Sequence, residues 1–180
     1  MKNKIFLILL AWGLLFFSAS CSNDDDVLDF AHEERTCFDG DSIKLTLIVQ
    51  DKDSLARKDF VQGENVLFYF RIENKSHHSI VKPDFESELF TVYSSLGKKI
   101  GTPCENYVFY DILEYLSPNG GACDWLVPWL KGDLAYVKWP FSLAGEKTLP
   151  LNSGSYYVAV SVNLKENGGV QLLTANFNIK

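Results

Sequence analysis

The chain has 180 residues, 47% hydrophobic and 22% charged, a composition that excludes a disordered protein and a membrane-filling one. Aromatic residues make up 14%, which favours β-structure or an aromatic-rich contact surface. The net charge of −6 argues against nucleic acid as a partner, because phosphates need clustered Lys and Arg.

Lys2 and Lys4 precede an uncharged run over residues 5–17. As a helix that run rises about 20 Å, short of the ~30 Å hydrocarbon core, so it reads as a signal-peptide segment rather than a transmembrane span. Ser18-Ala19-Ser20 and then Cys21 follow. This resembles the lipobox of bacterial lipoproteins, in which the Cys is lipidated and becomes the new N-terminus, although Ser18 stands where that family carries an aliphatic residue. The alternative is ordinary signal-peptidase cleavage after Ala19 or Ser20, with Cys21 an incidental thiol. Removal of residues 1–20 takes away Lys2 and Lys4, leaving 15 of the 17 basic residues against 23 acidic ones. Asp24-Asp25-Asp26 resembles the acidic export signal of surface lipoproteins of the Bacteroidota. That resemblance implies a membrane partner reached through lipid on Cys21, in the outer membrane, with display on the cell surface favoured over a periplasm-facing anchor. Residues 21–41 then read as the lipidated Cys and a polar tether, and residues 42–180 as one domain.

From Ser42 the pattern changes to that of strands. Ile43, Leu45, Leu47 and Val49 alternate along one face, as do Val66, Phe68, Phe70 and Ile72 after the turn residues Gly63-Glu64-Asn65. Residues 51–59 and 74–78 read as loops. Strands are predicted at 89–93 and 98–100 around Ser94-Ser95-Leu96-Gly97. Residues 103–116 carry both a helix signal (a capping box at Thr102-Pro103-Cys104-Glu105) and strand-forming Tyr107, Val108, Phe109 and Tyr110. The β-character of every neighbour favours strand. Apolar runs at 125–130 and 134–141 and a short segment at 148–151 follow. Residues 155–164 alternate again, Asn167-Gly168-Gly169 is a hairpin turn, and 170–179 closes the domain.

Many short strands without a convincing long helix predict an all-β sandwich. Leu151, Gly154 and Tyr156 at the head of a core strand resemble the tyrosine corner of immunoglobulin-like domains. Gly63-Glu64-Asn65-Val66 leading to Phe70-Arg71-Ile72-Glu73-Asn74, with the turns Leu96-Gly97-Lys98 and Ser117-Pro118-Asn119-Gly120, is similar to bacterial intracellular-proteinase-inhibitor-like sandwich domains. The resemblance implies an immunoglobulin-like fold and transfers no functional residues.

No nucleophile elbow, P-loop, dinucleotide fingerprint or metalloprotease motif occurs, so no catalytic residue, metal ligand or cofactor is assigned. His77-His78 reads as a solvated turn. Outside the cytoplasm a Cys104–Cys123 disulfide is the default for the remaining thiols, Cys37, Cys104 and Cys123, with three unpaired thiols as the alternative. Trp125, Trp129, Tyr136 and Trp139 cluster beside Pro128 and Pro140. Trp125 and Trp129 are the candidate ligand contacts if exposed, able to stack on sugar or anchor a protein; otherwise they are core residues. The expected function is a non-enzymatic, lipid-anchored binding module for a protein or a glycan. The alternative is a proteinase inhibitor, which would present a rigid loop between Pro118 and Pro128. If Cys21 carries the anchor, Cys21→Ser releases the protein from membranes, and labelled palmitate enters the wild type alone. Absence of label from the wild type overturns this reading.

Overall fold

Alternation at period two is realised most fully in the segment Leu67–Asn74, where Phe68, Phe70 and Ile72 are each 0% exposed while Tyr69, Arg71 and Glu73 face outward. The computed structural model describes residues 35–85, 88–103, 107–109, 115–130, 141–143, 149–164 and 169–180. In chain order the strands are β1 (Arg35–Asp39), β2 (Ile43–Gln50), β3 (Asp59–Phe60), β4 (Leu67–Asn74), β5 (Ile80–Val81), β6 (Asp84–Phe85) and β7 (Thr91–Ser94). They continue as β8 (Lys99–Gly101), β9 (Tyr107–Phe109), β10 (Tyr115–Leu116), β11 (Ala122–Pro128), β12 (Phe141–Leu143), β13 (Gly154–Asn163) and β14 (Val170–Ile179). The described residues contain no helix.

One sheet runs β1-β2-β4-β11, all antiparallel. The other runs β3-β14-β13-β7-β8, with β6 also on β13 and β3 parallel to β14. Their inner faces meet in one core, so the protein is an all-β sandwich. The order follows the immunoglobulin-like plan. Strands β2, β4 and β11 take the places of A, B and E in one sheet, and β7, β13 and β14 those of C, F and G in the other. The short β3 lies parallel to the last strand.

The core is held by aromatic contacts across the two sheets. Phe68 of β4 stacks on Phe90 at 5.8 Å between ring centroids, meets Phe177 of β14 at 5.8 Å, and meets Trp129 edge-on at 6.5 Å. Burial of each such ring contributes about 1.5–3 kcal/mol, and well-oriented pairs add roughly 0.5–1.5. Phe90 adopts φ of 59°, a left-handed backbone uncommon for a bulky residue, and its fully buried ring offsets that strain.

The tyrosine corner is present. The Tyr156 hydroxyl donates to the Asn152 carbonyl at 2.9 Å, and the ring stacks on Phe177 at 5.6 Å. At the same end of the sandwich, Lys180 Nζ and the Asn178 amide both donate to Asp59, at 2.8 and 2.9 Å, and hold its carboxyl below the usual range. These bonds pin β3 to β14.

Strand β1 corrects the reading of residues 21–41 as tether, because 35–39 belong to the sheet. Only Thr36 and Phe38 point inward from it, so its hydrophobic alternation is too slight to register in the sequence. Its place is set by the ladder with β2 and by a bond from the Thr36 hydroxyl to the Thr174 carbonyl of β14, which closes the sandwich edge. Within 103–116, β9 and β10 are strands as favoured, while 104–106 and 110–114 lie outside the described residues. The runs at 131–140 and 144–148 also lie outside them. Residues 149–151 are irregular rather than extended, and Leu151 is buried there.

Replacing Tyr156 with Phe removes one hydrogen bond and keeps the ring. The expected cost is about 1 kcal/mol, read as a fall in thermal midpoint of about 2–4 °C. An unchanged midpoint would show that the corner bond contributes nothing net.

Candidate functional site

A groove of about 470 Å³ lies at one end of the sandwich, in the size range of ligand pockets. Three segments build it: the β1–β2 turn, the stretch Ile80–Pro83 that follows β4, and the end of β13. Its apolar wall is Phe38, Ile43, Ile80 and Leu164, each packed against the core. Asp41, Ser42, Lys82 and Asn163 supply polar groups.

Local chemistry fixes each segment. Gly40 donates to the Ile43 carbonyl at 2.9 Å, closing the β1–β2 turn. Gly40 lies so near the Phe38 ring that a Cβ would meet it at 3.0 Å. Lys75 clamps the same turn, donating from its backbone to the Ser42 carbonyl and from its ammonium to Asp39 and the Gly40 carbonyl. The ammonium holds the Asp39 carboxyl below the ordinary carboxylate range.

Asn74, fully buried at the end of β4, organises the second segment. Its side-chain amide donates to the carbonyls of His78, Leu116 and Ser117 at 2.8–3.0 Å. Its side-chain oxygen accepts from the Ser76 backbone and hydroxyl. A buried amide satisfied on every side defines a unique turn geometry, since leaving any of these groups unpaired would be costly. That turn delivers Ile80–Pro83 to the groove. Gly121 seals the neighbouring turn: a Cβ there would sit 2.3 Å from the Ser117 carbonyl oxygen.

Trp125 stands behind the groove. Phe85 and Phe70 pack on it at 5.2 and 5.8 Å, and Lys82 Nζ lies 6.0 Å from its ring centroid. Its indole N–H is buried and has no acceptor among the described residues.

Both sequence-derived contact candidates are therefore core residues. Trp125 is 1% and Trp129 5% exposed. Trp129 borders a second cleft beside Ile100 and Leu149, and its indole N–H is committed to the Leu149 carbonyl at 2.8 Å. The reason lies in register: Cys123, Trp125 and Val127 share the inward face of β11, which pairs with β4 along its whole length. The segment between Pro118 and Pro128, where a protruding rigid loop would favour the inhibitor alternative, is a tight turn followed by a paired strand. Among the described aromatics Tyr115 is 59% exposed, and the half-buried Tyr93 and Tyr157 stack at 5.1 Å and 13° on the outer face of the second sheet. Their alternation with inward Val92 and Val158 was the sequence signal for them.

Cys37 is exposed on the outer face of β1, with its sulfur 3.8 Å from the Thr46 hydroxyl. Cys123 is buried on the inner face of β11. Three strand spacings of about 4.8 Å separate the two, beyond disulfide reach. Cys104 and Cys21 lie outside the described residues. His77 and His78 are exposed in the turn as read, with His77 Nδ1 2.7 Å from Asn119 Oδ1.

On the outer face of the first sheet, Tyr69 donates to Asp124 at 2.9 Å, and Arg71 bonds Asp124 and Glu73. Burial raises the Tyr69 phenol above its ordinary value, so it stays protonated at neutral pH. One guanidinium here faces two carboxylates. No helix of the described residues is long and apolar enough to cross a membrane, and no group of three or more metal-ligating side chains occurs among them.

No protein-family model matches the chain, and neither curated proteins nor solved structures give a match. Loss of either indole should cost about 3–5 kcal/mol, so Trp125→Ala and Trp129→Ala are both expected to lower the thermal midpoint by many degrees. A near-native midpoint for either would show that its ring is not part of the core.

Proposed function

We propose that this protein is a non-enzymatic binding module, anchored by lipid on Cys21 at the outer membrane and displayed on the cell surface, which captures its ligand in the groove at the free end of the sandwich. The observation that carries this reading is where the chain enters the domain. Residue Asp39 of β1 lies opposite Lys44, at the groove end, and Arg35 lies opposite Ile48, towards the other end. Strand β1 thus carries the point of entry about 14 Å away from the groove.

Had the domain begun at β2, its tether would leave beside Ser42, in the groove wall. With β1 added, the tether leaves from the end remote from the binding loops. Residues 21–34 can span at most roughly 50 Å, enough to hold the groove clear of a membrane surface. Immunoglobulin-like domains that bind through loops use the B–C and F–G connections of one end, and the groove lies between the β4–β7 and β13–β14 connections.

Ligand screening of the full chain on glycan arrays and in protein pull-downs tests the reading, with two groove variants as controls. Val81, 55% exposed, and Ser42 border the groove without entering the core. Val81→Lys and Ser42→Trp should abolish capture of the ligand while leaving the thermal midpoint within about 2 °C of wild type. A ligand that binds both variants as tightly as wild type sits elsewhere, and the groove assignment fails.

A further inference from the structure

At the end of the sandwich remote from the groove, the connections carry apolar side chains that the fold does not use. Gln50, Leu67 and Pro128 lie in register there, where β2 and β11 finish and β4 begins. Phe177, near the end of β14, meets Phe68 beside them, and Gly154 at the head of β13 pairs with Ile179. Four connections at this end each present an exposed apolar residue: Leu55, Val61, Leu96 and Leu149. Hydrogen bonds fix each one to a strand end. The Leu55 carbonyl accepts from the Asp51 N–H just past β2, and that of Leu149 from the Trp129 indole just past β11. Next to Val61, Gln62 donates to the Lys180 carbonyl, and next to Leu96, Ser95 donates to the Ser155 carbonyl.

Leu96 is 94% and Leu149 82% exposed. Single exposed apolar residues are ordinary, but four on the connections of one end mark a contact surface. The Leu96 tip is rigid, since Gly97 and Lys98 both donate to Ser94 and Ser94 donates to the Lys98 carbonyl. Turns favour Ser, Asn, Asp or Gly, so the turn itself has no need of this Leu, and a fixed tip loses little freedom on contact. Arg35 pairs with Ile48, two residues before the end of β2, so the chain enters the sheet beside this surface. Lipid on Cys21 keeps these tips within roughly 50 Å of the bilayer, where tethering populates even a weak contact. Residues 51–64, 94–99 and 180 together hold six Lys and Arg against four Asp and Glu, whereas the whole chain holds 17 against 23. Anionic headgroups are therefore not repelled at this end.

We propose that this end of the sandwich rests on the lipid surface, with Leu96 and Leu149 inserted among the headgroups, so that the groove at the opposite end faces the medium. The proposal rests on the lipid anchor at Cys21.

The protein, purified with its own anchor, is placed on vesicles of phosphatidylcholine and phosphatidylglycerol whose acyl chains carry bromine, a quencher of indole emission. Leu96→Trp puts an indole at the tip. Leu172→Trp puts one on the exposed outer face of β14, about 23 Å from Ile179. Both sites are exposed, so the thermal midpoint should stay within about 2 °C of wild type. Bromine should quench Leu96→Trp about twofold beyond the wild-type background, as an apolar side chain at the headgroup boundary implies, and leave Leu172→Trp at that background. Adding Leu149→Asp to Leu96→Trp should weaken the quenching about threefold, because the neighbouring apolar contact is lost. Equal quenching at both positions, or at neither, overturns the inference, and palmitate label on the same protein leaves the anchor standing. Quenching indifferent to Leu149→Asp overturns it as well. Shielding of the Leu96→Trp indole from iodide without quenching by bromine assigns this end to a protein, a second copy included, and overturns the lipid contact. Absence of palmitate label removes the anchor and this inference together.

Discussion

The packing of Phe68 between the two sheets is the contact on which the rest of this structure depends. Its ring meets Phe177 of β14, Phe90 just before β7 and Trp129 just after β11, so one side chain sets both the spacing of the layers and their lateral alignment. Interiors are close-packed, and a ring held on three sides leaves no slack for either sheet to slide. Strand β4 can hold this position because it pairs over all eight residues with β2 and over seven with β11. Phe90 shows how strongly the contact is favoured, since it accepts a left-handed backbone to place its ring there. The tyrosine corner extends the same stack outward, with Tyr156 lying on Phe177 and its hydroxyl tied to the backbone of the preceding loop.

A rigid centre permits irregular ends. Where β4 finishes, hydrophobic packing gives way to the hydrogen bonds of Asn74, which joins three carbonyls and the Ser76 turn around one buried amide. Because that amide can satisfy its partners in one arrangement only, the turn beyond it is defined despite having few apolar contacts. The groove wall is therefore a consequence of polar satisfaction, whereas the core behind it is a consequence of hydrocarbon burial. Trp125 belongs to both: its ring completes the core, and Lys82 Nζ from the groove wall lies 6.0 Å from its ring centroid.

Strand β1 links architecture to the proposed role. It buries little, with only Thr36 and Phe38 turned inward, yet it covers the edge of β2 and reaches β14 through Thr36. An edge strand of this kind protects backbone groups that would otherwise recruit another chain. It also places Arg35 at the end of β2 remote from the groove, opposite Ile48.

The all-β class was legible in the sequence because period-two alternation and turn residues are local properties, and β2, β4, β13 and β14 all follow them closely. The tyrosine corner was legible for the same reason: Asn152 and Tyr156 are four residues apart, so their bond needs no distant partner. The candidate site was not. Trp125 and Trp129 have the same local sequence character whether buried or exposed, and only the pairing of β11 with β4, some 55 residues away, decides that their face turns inward. Strand β1 left almost no hydrophobic signature, since an edge strand is stabilised by backbone bonds that carry no side-chain pattern. The groove joins Phe38, Ile80 and Leu164, residues from three distant segments, and its chemistry arises from their meeting. Local periodicity thus determined which segments are extended, while sheet register, a long-range property, decided which side chains reach the surface and where a ligand can be held.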